Sequence, residues 1–508
     1  MAQFTAGKSN LKMHKKRFAL NSISSLGYQL ATIICGLILP NMILRAYGTE
    51  VNGLVSSITQ FLRVISLSEF GMTAVIQSSL YEPLTRKDNK KIGEILTSSD
   101  RFFRRIALVL CFYVAGLCCL YPLLISAEFG KVYVITLILI LSFNFFSQYM
   151  FAFTNSQLLS ADQRSYIVFL ADTIAIVANT VLCAIEIKLG LGIHAVKLTT
   201  AAVYMIKPIV SSIYVKKHYS VDRHSKYTEE PIKQKWNGVA QHLAYYVFTS
   251  TDVIVLTLFS TLSNVSVYSI YVLVLNGLKS LSALFEHAMR SLMGEIWALH
   301  DEEKLRRFFG LYEWVMLIIS FFIYGCAACL IVPFVQVYTR SVHDANYTVP
   351  LFAVLITLAY LVQNLRAPYH TLIQSVGHYK ETQGSYITAA GLNICISVFM
   401  VYKWGLVGVA IGTLISASIE TVWQALYLYR SVLKQPISKL IRLLIVYGIQ
   451  FVISYGLCKF VTLSSLSYFG WVKMAILVAL IWSGAVALFS GLFYKRSILD
   501  LIAVVRKK

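Results

Sequence analysis

Five basic side chains, Arg63, Lys197, Lys207, Lys279 and Arg366, stand inside long apolar stretches of the sequence. A charge at the centre of a bilayer costs at least ~3 kcal/mol, so each of these asks for a partner or a task. Guanidinium and ammonium groups shielded from bulk water select phosphate or carboxylate, which accept charge-assisted hydrogen bonds from them. Two acids share such surroundings, Glu69 in SLSEFGM and Asp252 in FTSTDVIVL. Either could bind a coupling proton or sodium ion, or neutralise a neighbouring cation, and their types alone do not separate these roles. Pairing with Glu69 or Asp252 is also the purely structural explanation open to Arg63 and Lys279.

The elements that must position these groups follow from composition. Of 508 residues 57% are hydrophobic and only 14% charged, which is the profile of an integral membrane protein and not of a soluble multidomain chain. Apolar runs near the ~20 residues needed to cross a bilayer recur along the chain. Fourteen spans are expected, at 18–45, 53–80, 103–126, 132–159, 166–187, 190–215, 237–260, 266–293, 311–338, 350–375, 384–402, 405–429, 441–461 and 470–494. The first is too long for a cleaved signal and follows Lys15, Lys16 and Arg17. Most of the 45 Lys and Arg lie at the termini and in alternate connections, so both termini are expected in the cytoplasm. The basic clusters at 8–17, 86–105 and 216–235 act first as topological determinants and secondarily as contacts for anionic lipid. Connections on the opposite face, such as 46–52, 188–189 and 339–349, are too short to hold a domain for chemistry. All nine cysteines fall in apolar segments; Cys326 and Cys329 spell CxxC but have no companion ligands nearby in sequence.

The chain also repeats itself. Thr49, Asn52, Val55 and Ser57 recur about 212 residues later as Thr261, Asn264, Val267 and Ser269. Ser165, Tyr166 and Ile167 recur as Ser385, Tyr386 and Ile387, and Lys188, Gly190, Leu191 and Tyr214 as Lys403, Gly405, Leu406 and Tyr429. The expected fold is therefore all-α: two parallel six-helix bundles and two further C-terminal helices. The boundaries are 1–217 for the first bundle with its basic N-terminus, 218–236 for a cytoplasmic linker, 237–430 for the second bundle, and 431–508 for the last two helices and a basic tail.

Repeat-built transporters place substrate near the bilayer midplane between their halves. Through the repeat, Lys279 corresponds to position 67, one helical turn from Arg63, so helices two and eight are expected to present matching cations to that cavity. Arg366, in NLRAPYH, is expected to guide an anionic headgroup or to snorkel; Lys197 is a candidate cavity residue, and Lys207, beside Pro208, a snorkelling anchor.

The segments RAYGTEVNGLVSSI and SLSEFGMTAVIQSSLY resemble the signature of helices one and two in bacterial polysaccharide flippases, members of the multidrug, oligosaccharidyl-lipid and polysaccharide exporter superfamily. The likeness extends over the whole chain through its fourteen spans and two-unit layout. It implies a non-enzymatic transporter of the bacterial inner membrane, of the O-antigen or capsule flippase type, carrying a polyprenyl-pyrophosphate-linked oligosaccharide to the outer leaflet by alternating access. Arg63, Lys279, Arg366 and Lys197 would then meet the pyrophosphate, with Asp252 and Glu69 available for ion coupling or charge balance. No cofactor is implied; coupling to protons, sodium or the membrane potential stays open. Membrane lipids and glycan polymerase or assembly proteins are the implied partners, and nucleic acid is not. The first span lacks any charge between residues 18 and 44, unlike peptidoglycan-precursor flippases, which disfavours that precursor. A multidrug and toxin extrusion antiporter is the nearest alternative, though cationic cargo would call for a predominantly acidic cavity. A membrane glycan polymerase would need larger external loops.

Overall fold

A computed structural model describes residues 2–65, 72–125, 129–223, 227, 230–232 and 250–506. Among them every regular element is helical, as a chain that must satisfy its backbone within lipid requires. Eleven of these helices are long and apolar enough to cross a membrane. Thirteen of the fourteen expected spans fall wholly or in part on these eleven helices, two of which each join successive spans. Helix α1 (Ala2–Arg63) holds the first span and the start of the second, turning at Gly48 with φ 84° and ψ 176°. Helix α14 (Tyr379–Tyr427) holds spans eleven and twelve, turning at Gly405 with φ 51° and ψ −124°. Both turns use a positive φ that side chains with a Cβ rarely adopt, and each lies at an expected short connection. The seventh span is represented by α9 (Ser250–Phe259); its earlier part, with Glu69 of the second span, lies outside the described residues.

The chain divides into two compact units, Met1–Leu243 and Ala244–Lys508. Unit 1 contains α1, α2 (Met72–Arg86), α3 (Asn89–Ile125), α4 (Lys131–Ser147), a π turn at Gln148–Ala152, α5 (Phe153–Ala161), α6 (Ser165–Lys188), α7 (Ile193–Val203) and α8 (Ile206–His218). Its interior is aliphatic around Leu54, Ile58, Leu96 and Leu137, with hydroxyls paired inside it, such as Tyr121 Oη donating to Ser57 Oγ at 2.6 Å. At the end of the unit where α5 meets α6, Asp162 pairs with Arg164 at 2.8 Å and Arg17 at 3.4 Å and accepts from Tyr219 Oη at 2.5 Å. Burial, then the bond to Asp162, pushes the Tyr219 phenol well above its ordinary range, so it remains a donor to that carboxylate.

Unit 2 contains α9, α10 (Leu262–Ala298), α11 (Glu302–Tyr338), α12 (Pro350–Leu365), α13 (Ala367–Val376), α14, a π turn at Leu428–Val432, α15 (Ser438–Cys458), α16 (Tyr468–Phe493) and α17 (Lys495–Arg506). The repeat residue Thr261 caps α10, its side chain accepting from the Asn264 amide at 3.1 Å. The last helices pack on α11, where Trp482 is fully buried beside Gly325. A Cβ on Gly325 would stand 2.1 Å from the indole, so glycine is what lets the ring seat there. Cys326 and Cys329 pack in this same apolar cluster with Met474 and Val478, the environment of small hydrophobes.

Candidate functional site

The five intramembrane bases separate into two kinds. Lys207 on α8 pairs with Asp172 on α6 at 3.0 Å, both largely buried, so the expected snorkelling is replaced by an ion pair. Arg366, at the junction of α12 and α13, is 7% exposed and forms an ion pair with Glu420 on α14. Its guanidinium also stands 6.0 Å from the centre of the Tyr386 ring, and Gln424 donates to Glu420 at 3.2 Å. The sequence reading, which gave Arg366 as a headgroup guide or a snorkelling side chain, did not foresee this acidic partner on another helix. Glu420, in SASIETVW, is not among the acids that the sequence reading singles out, although it too stands in an apolar stretch.

The other three bases have no acidic partner among the described residues. Arg63 ends the described helix α1 exposed, with no hydrogen bond or ion pair there. Lys197, half-buried on α7, likewise makes none among the described residues. Lys279 on α10 donates to Gln363 Oε1 at 3.2 Å and stands 5.9 Å from the centre of the Tyr360 ring, whose hydroxyl donates to Asn276 at 3.1 Å. An amide oxygen and a ring face orient an ammonium without neutralising it, which leaves its charge for an anion.

Asp252 is the complementary case, a carboxylate 3% exposed on an apolar helix. Its Oδ2 accepts from Tyr268 Oη and Thr413 Oγ1, both at 2.7 Å, and its Oδ1 accepts from Asn393 Nδ2 at 3.3 Å. Ser397 Oγ donates to Asn393 Oδ1 at 3.0 Å, extending the cluster by one oxygen. No described Lys or Arg pairs with it, so it does not serve as the counter-ion of Lys279. A buried carboxylate with only neutral donors is stable when it holds a proton or a bound cation, and oxygen-rich surroundings suit either. Sequence reasoning found Asp252 but missed Tyr268, Asn393, Ser397 and Thr413. The available signal was spacing: Asn393 and Ser397 are polar at i, i+4 on one face of an apolar helix.

The fold explains how distant residues converge on Asp252. The Gly405 turn folds α14 back on itself, and Gly408 and Gly412 let its two halves touch. A Cβ at Gly408 would stand 2.4 Å from the Met400 carbonyl oxygen, and one at Gly412 would stand 2.3 Å from Ser397 Oγ. Small residues at this spacing allow helix backbones to approach closely, which brings Asn393 and Thr413 onto one carboxylate.

Glu313 on α11 is a second buried carboxylate that sequence reasoning did not single out. Tyr369 and Tyr429 donate to its two oxygens at 2.8 and 2.7 Å, within an apolar cluster that includes Met316 and Leu428. With its two oxygens satisfied from two other segments, it ties three segments of unit 2 together as a polar rivet.

No protein-family model matches the chain, and no curated protein matches it in sequence. Solved structures match in fold. One is the lipid II flippase MurJ in an inward closed conformation, at TM-score 0.69 and 16% identity over 94% of this chain and 100% of that one. Another is a multidrug resistance MATE family transporter of the MOP superfamily in an inward-facing conformation, at TM-score 0.59 and 15% identity over 79% of this chain and 95% of that one. A third is the MATE transporter VcmN of Vibrio cholerae, at TM-score 0.56 and 14% identity over 85% of this chain and 99% of that one. The chain thus shares the all-helical fold of these membrane transporters, a likeness of architecture that leaves its own substrate to the chemistry of its side chains.

Proposed function

We propose that this protein is a flippase that moves a polyprenyl-pyrophosphate-linked oligosaccharide, a precursor of cell-surface polysaccharide of the O-antigen or capsule kind, from the inner to the outer leaflet by alternating access. The observation that carries this reading is the set of spanning-helix bases without acidic partners among the described residues, Arg63, Lys197 and Lys279. Cations kept unneutralised in a membrane suit a diphosphate cargo, which brings two or more negative charges to them. A fold shared with a lipid II flippase supports the class of cargo, a lipid-linked saccharide, and the resemblance of the first two spans to polysaccharide flippases supports the glycan. The reading places the protein in a bacterial inner membrane with both termini in the cytoplasm, with membrane lipids and glycan polymerase or assembly proteins as its partners. No chemical step is assigned to it.

Asp252 supplies a coupling site in this scheme. Its three polar partners surround a carboxylate that a proton or a sodium ion neutralises, so occupancy would follow the ion gradient. The same observation favours a second reading, a cation-coupled antiporter of the multidrug and toxin extrusion type, whose cargo would be cationic. The unpaired bases weigh against cationic cargo, because they would repel it.

The test is genetic and chemical. Deleting the gene in its host should make one polyprenyl-pyrophosphate-linked glycan accumulate on the inner leaflet, identifiable by mass spectrometry. Arg63→Ala or Lys279→Ala should reproduce that accumulation with the protein still inserted. Normal surface glycan in both variants, or drug sensitivity without glycan accumulation, would sink the reading.

A further inference from the structure

The basic clusters at 86–105 and 216–235 are not used by the transport reading, yet the fold of unit 1 brings parts of both to one cavity. This cavity, of about 520 Å³, opens between α3, the π turn at Gln148–Ala152, α8 and the chain that follows α8. Arg101 and Arg104 line it from α3, Lys216 from α8 and Arg223 from the following chain, against a single carboxylate, Asp100. Asp100 is engaged by Arg223 at 3.4 Å, and the Arg223 guanidinium also donates to Asn155. The Arg223 carbonyl accepts from Thr97 Oγ1 at 3.0 Å, so this wall is fixed in place. Arg101 is held at the Tyr227 ring, 5.1 Å from its centre. Arg104 and Lys216 have no hydrogen-bond or ion-pair partner among the described residues, and the cavity is left with a surplus of positive charge.

Its floor is built and neutral. Asn155 is buried and donates to Ser212 Oγ at 2.9 Å, and Thr154 is buried against Ser99 at 3.1 Å. The π turn forms the wall between α3 and α8, with Tyr149 stacked on Phe103 and Phe153 behind it and Phe151 exposed at its lip. Extra residues inserted into a helix in this way often mark functional sites.

The surface beside the cavity points to what fills it. On α3 the residues Arg101, Arg104, Leu108 and Phe112 follow one another at helical spacing along one face. On α8, which runs the opposite way past the cavity, Lys216, Ile213 and Ile209 do the same. In both rows the cations stand at the cavity and the side chains beyond are exposed and apolar: Leu108 59%, Phe112 71%, Ile213 61% and Ile209 50%. A ligand with a phosphate at one end and hydrocarbon at the other matches this polarity. Basic pockets between spanning helices on the cytoplasmic side are suited to acidic lipid headgroups, and the charge asymmetry of the chain puts this end there. We infer that this cavity binds the phosphate of an acidic membrane phospholipid between Arg104 and Lys216, with its acyl chains lying along the two apolar rows.

The experiment is native mass spectrometry on the full-length protein in detergent, titrated separately with dioleoylphosphatidylglycerol, dioleoylphosphatidylcholine and inorganic phosphate. Dioleoylphosphatidylglycerol should bind best, and the double variant Arg104→Gln, Lys216→Gln should bind it roughly 30-fold more weakly, the worth of two basic residues against an anionic headgroup. Both positions are exposed, so folding is retained, and the charge-conserving pair Arg104→Lys, Lys216→Arg should keep the affinity. The control pair Lys90→Gln, Lys91→Gln removes the same charge from exposed positions on α3 outside the cavity lining and should change nothing. Equal weakening in the control would mean a diffuse surface effect and overturn the site. Unchanged binding in the Arg104, Lys216 variant would overturn it as well. Inorganic phosphate binding as tightly as the lipid would assign the cavity to a soluble phosphate and refute the phospholipid.

Discussion

Arg366 and Glu420 give the sharpest test of which basic residues serve the structure and which serve a substrate. Their side chains are 9% and 3% exposed, so both charges have been taken almost wholly out of solvent. Glu420→Gln leaves the Arg366 charge without compensation, and breaking a buried pair in this way costs about 3–5 kcal/mol. Against a total stability of about 5–15 kcal/mol for a folded domain, the single variant should be poorly stable and low in abundance. Removing both charges together, as Arg366→Met, Glu420→Met, should be close to neutral, because no lone charge remains and the volume stays filled. The measurement is the unfolding midpoint of purified protein in a fixed detergent, compared for the wild type, both single variants and the double. Midpoints of the same transition are compared, since a chain of two units need not unfold in one step. A coupling energy of at least about 2 kcal/mol in this cycle is expected. The transport arm adds a second readout: the double variant should export glycan normally. Additive destabilisation would refute the ion pair as the reason for Arg366, and a stable double variant that exports nothing would return Arg366 to the substrate pathway.

Asp252→Asn should remove the dependence of transport on the driving ion while leaving the protein inserted; export that still responds to a sodium or proton gradient would exclude Asp252 as the coupling group. Lys279→Glu should impair export more than Lys279→Ala, because it repels the diphosphate as well as losing the attraction, and equal surface glycan in the two variants would argue for a structural lysine. Gly412→Ala should destabilise unit 2 by about 1–3 kcal/mol through overpacking against Ser397. Ser397→Ala should restore only part of this, because the Ser397 amide nitrogen would still lie 3.0 Å from the new Cβ; full rescue in thermal unfolding would refute the backbone contact. Gly325→Ala should displace Trp482 from α11, read as a shift in tryptophan emission together with a lower unfolding temperature, and an unchanged spectrum would contradict the close packing.

Much of the fold was legible because a membrane imposes it locally. An apolar run of sufficient length has to be a helix in lipid, so hydropathy alone placed the spans that fall within the described residues, and α1 and α14 differ from that reading only in being continuous through turns. Asp252 was visible for the same reason, as an acid where none is cheap. Its surroundings were not: Asn393 and Thr413 lie 141 and 161 residues away in sequence, and neutral polar groups in a helix look the same whether they face a carboxylate or another helix. The basic residues show the limit most plainly. Arg63, Lys197, Lys207, Lys279 and Arg366 form one class by sequence, each a cation in an apolar stretch. Only tertiary contact divided them, by giving Asp172 to Lys207 and Glu420 to Arg366 while leaving Lys279 with an amide and an aromatic ring. Transfer cost is a property of a residue and its immediate neighbours, so sequence alone determined where the chain enters the membrane and which charges are anomalous there. Neutralisation depends on which side chain lies within about 4 Å across the fold, so the tertiary structure decided which of these bases have an acidic partner and which have none among the described residues.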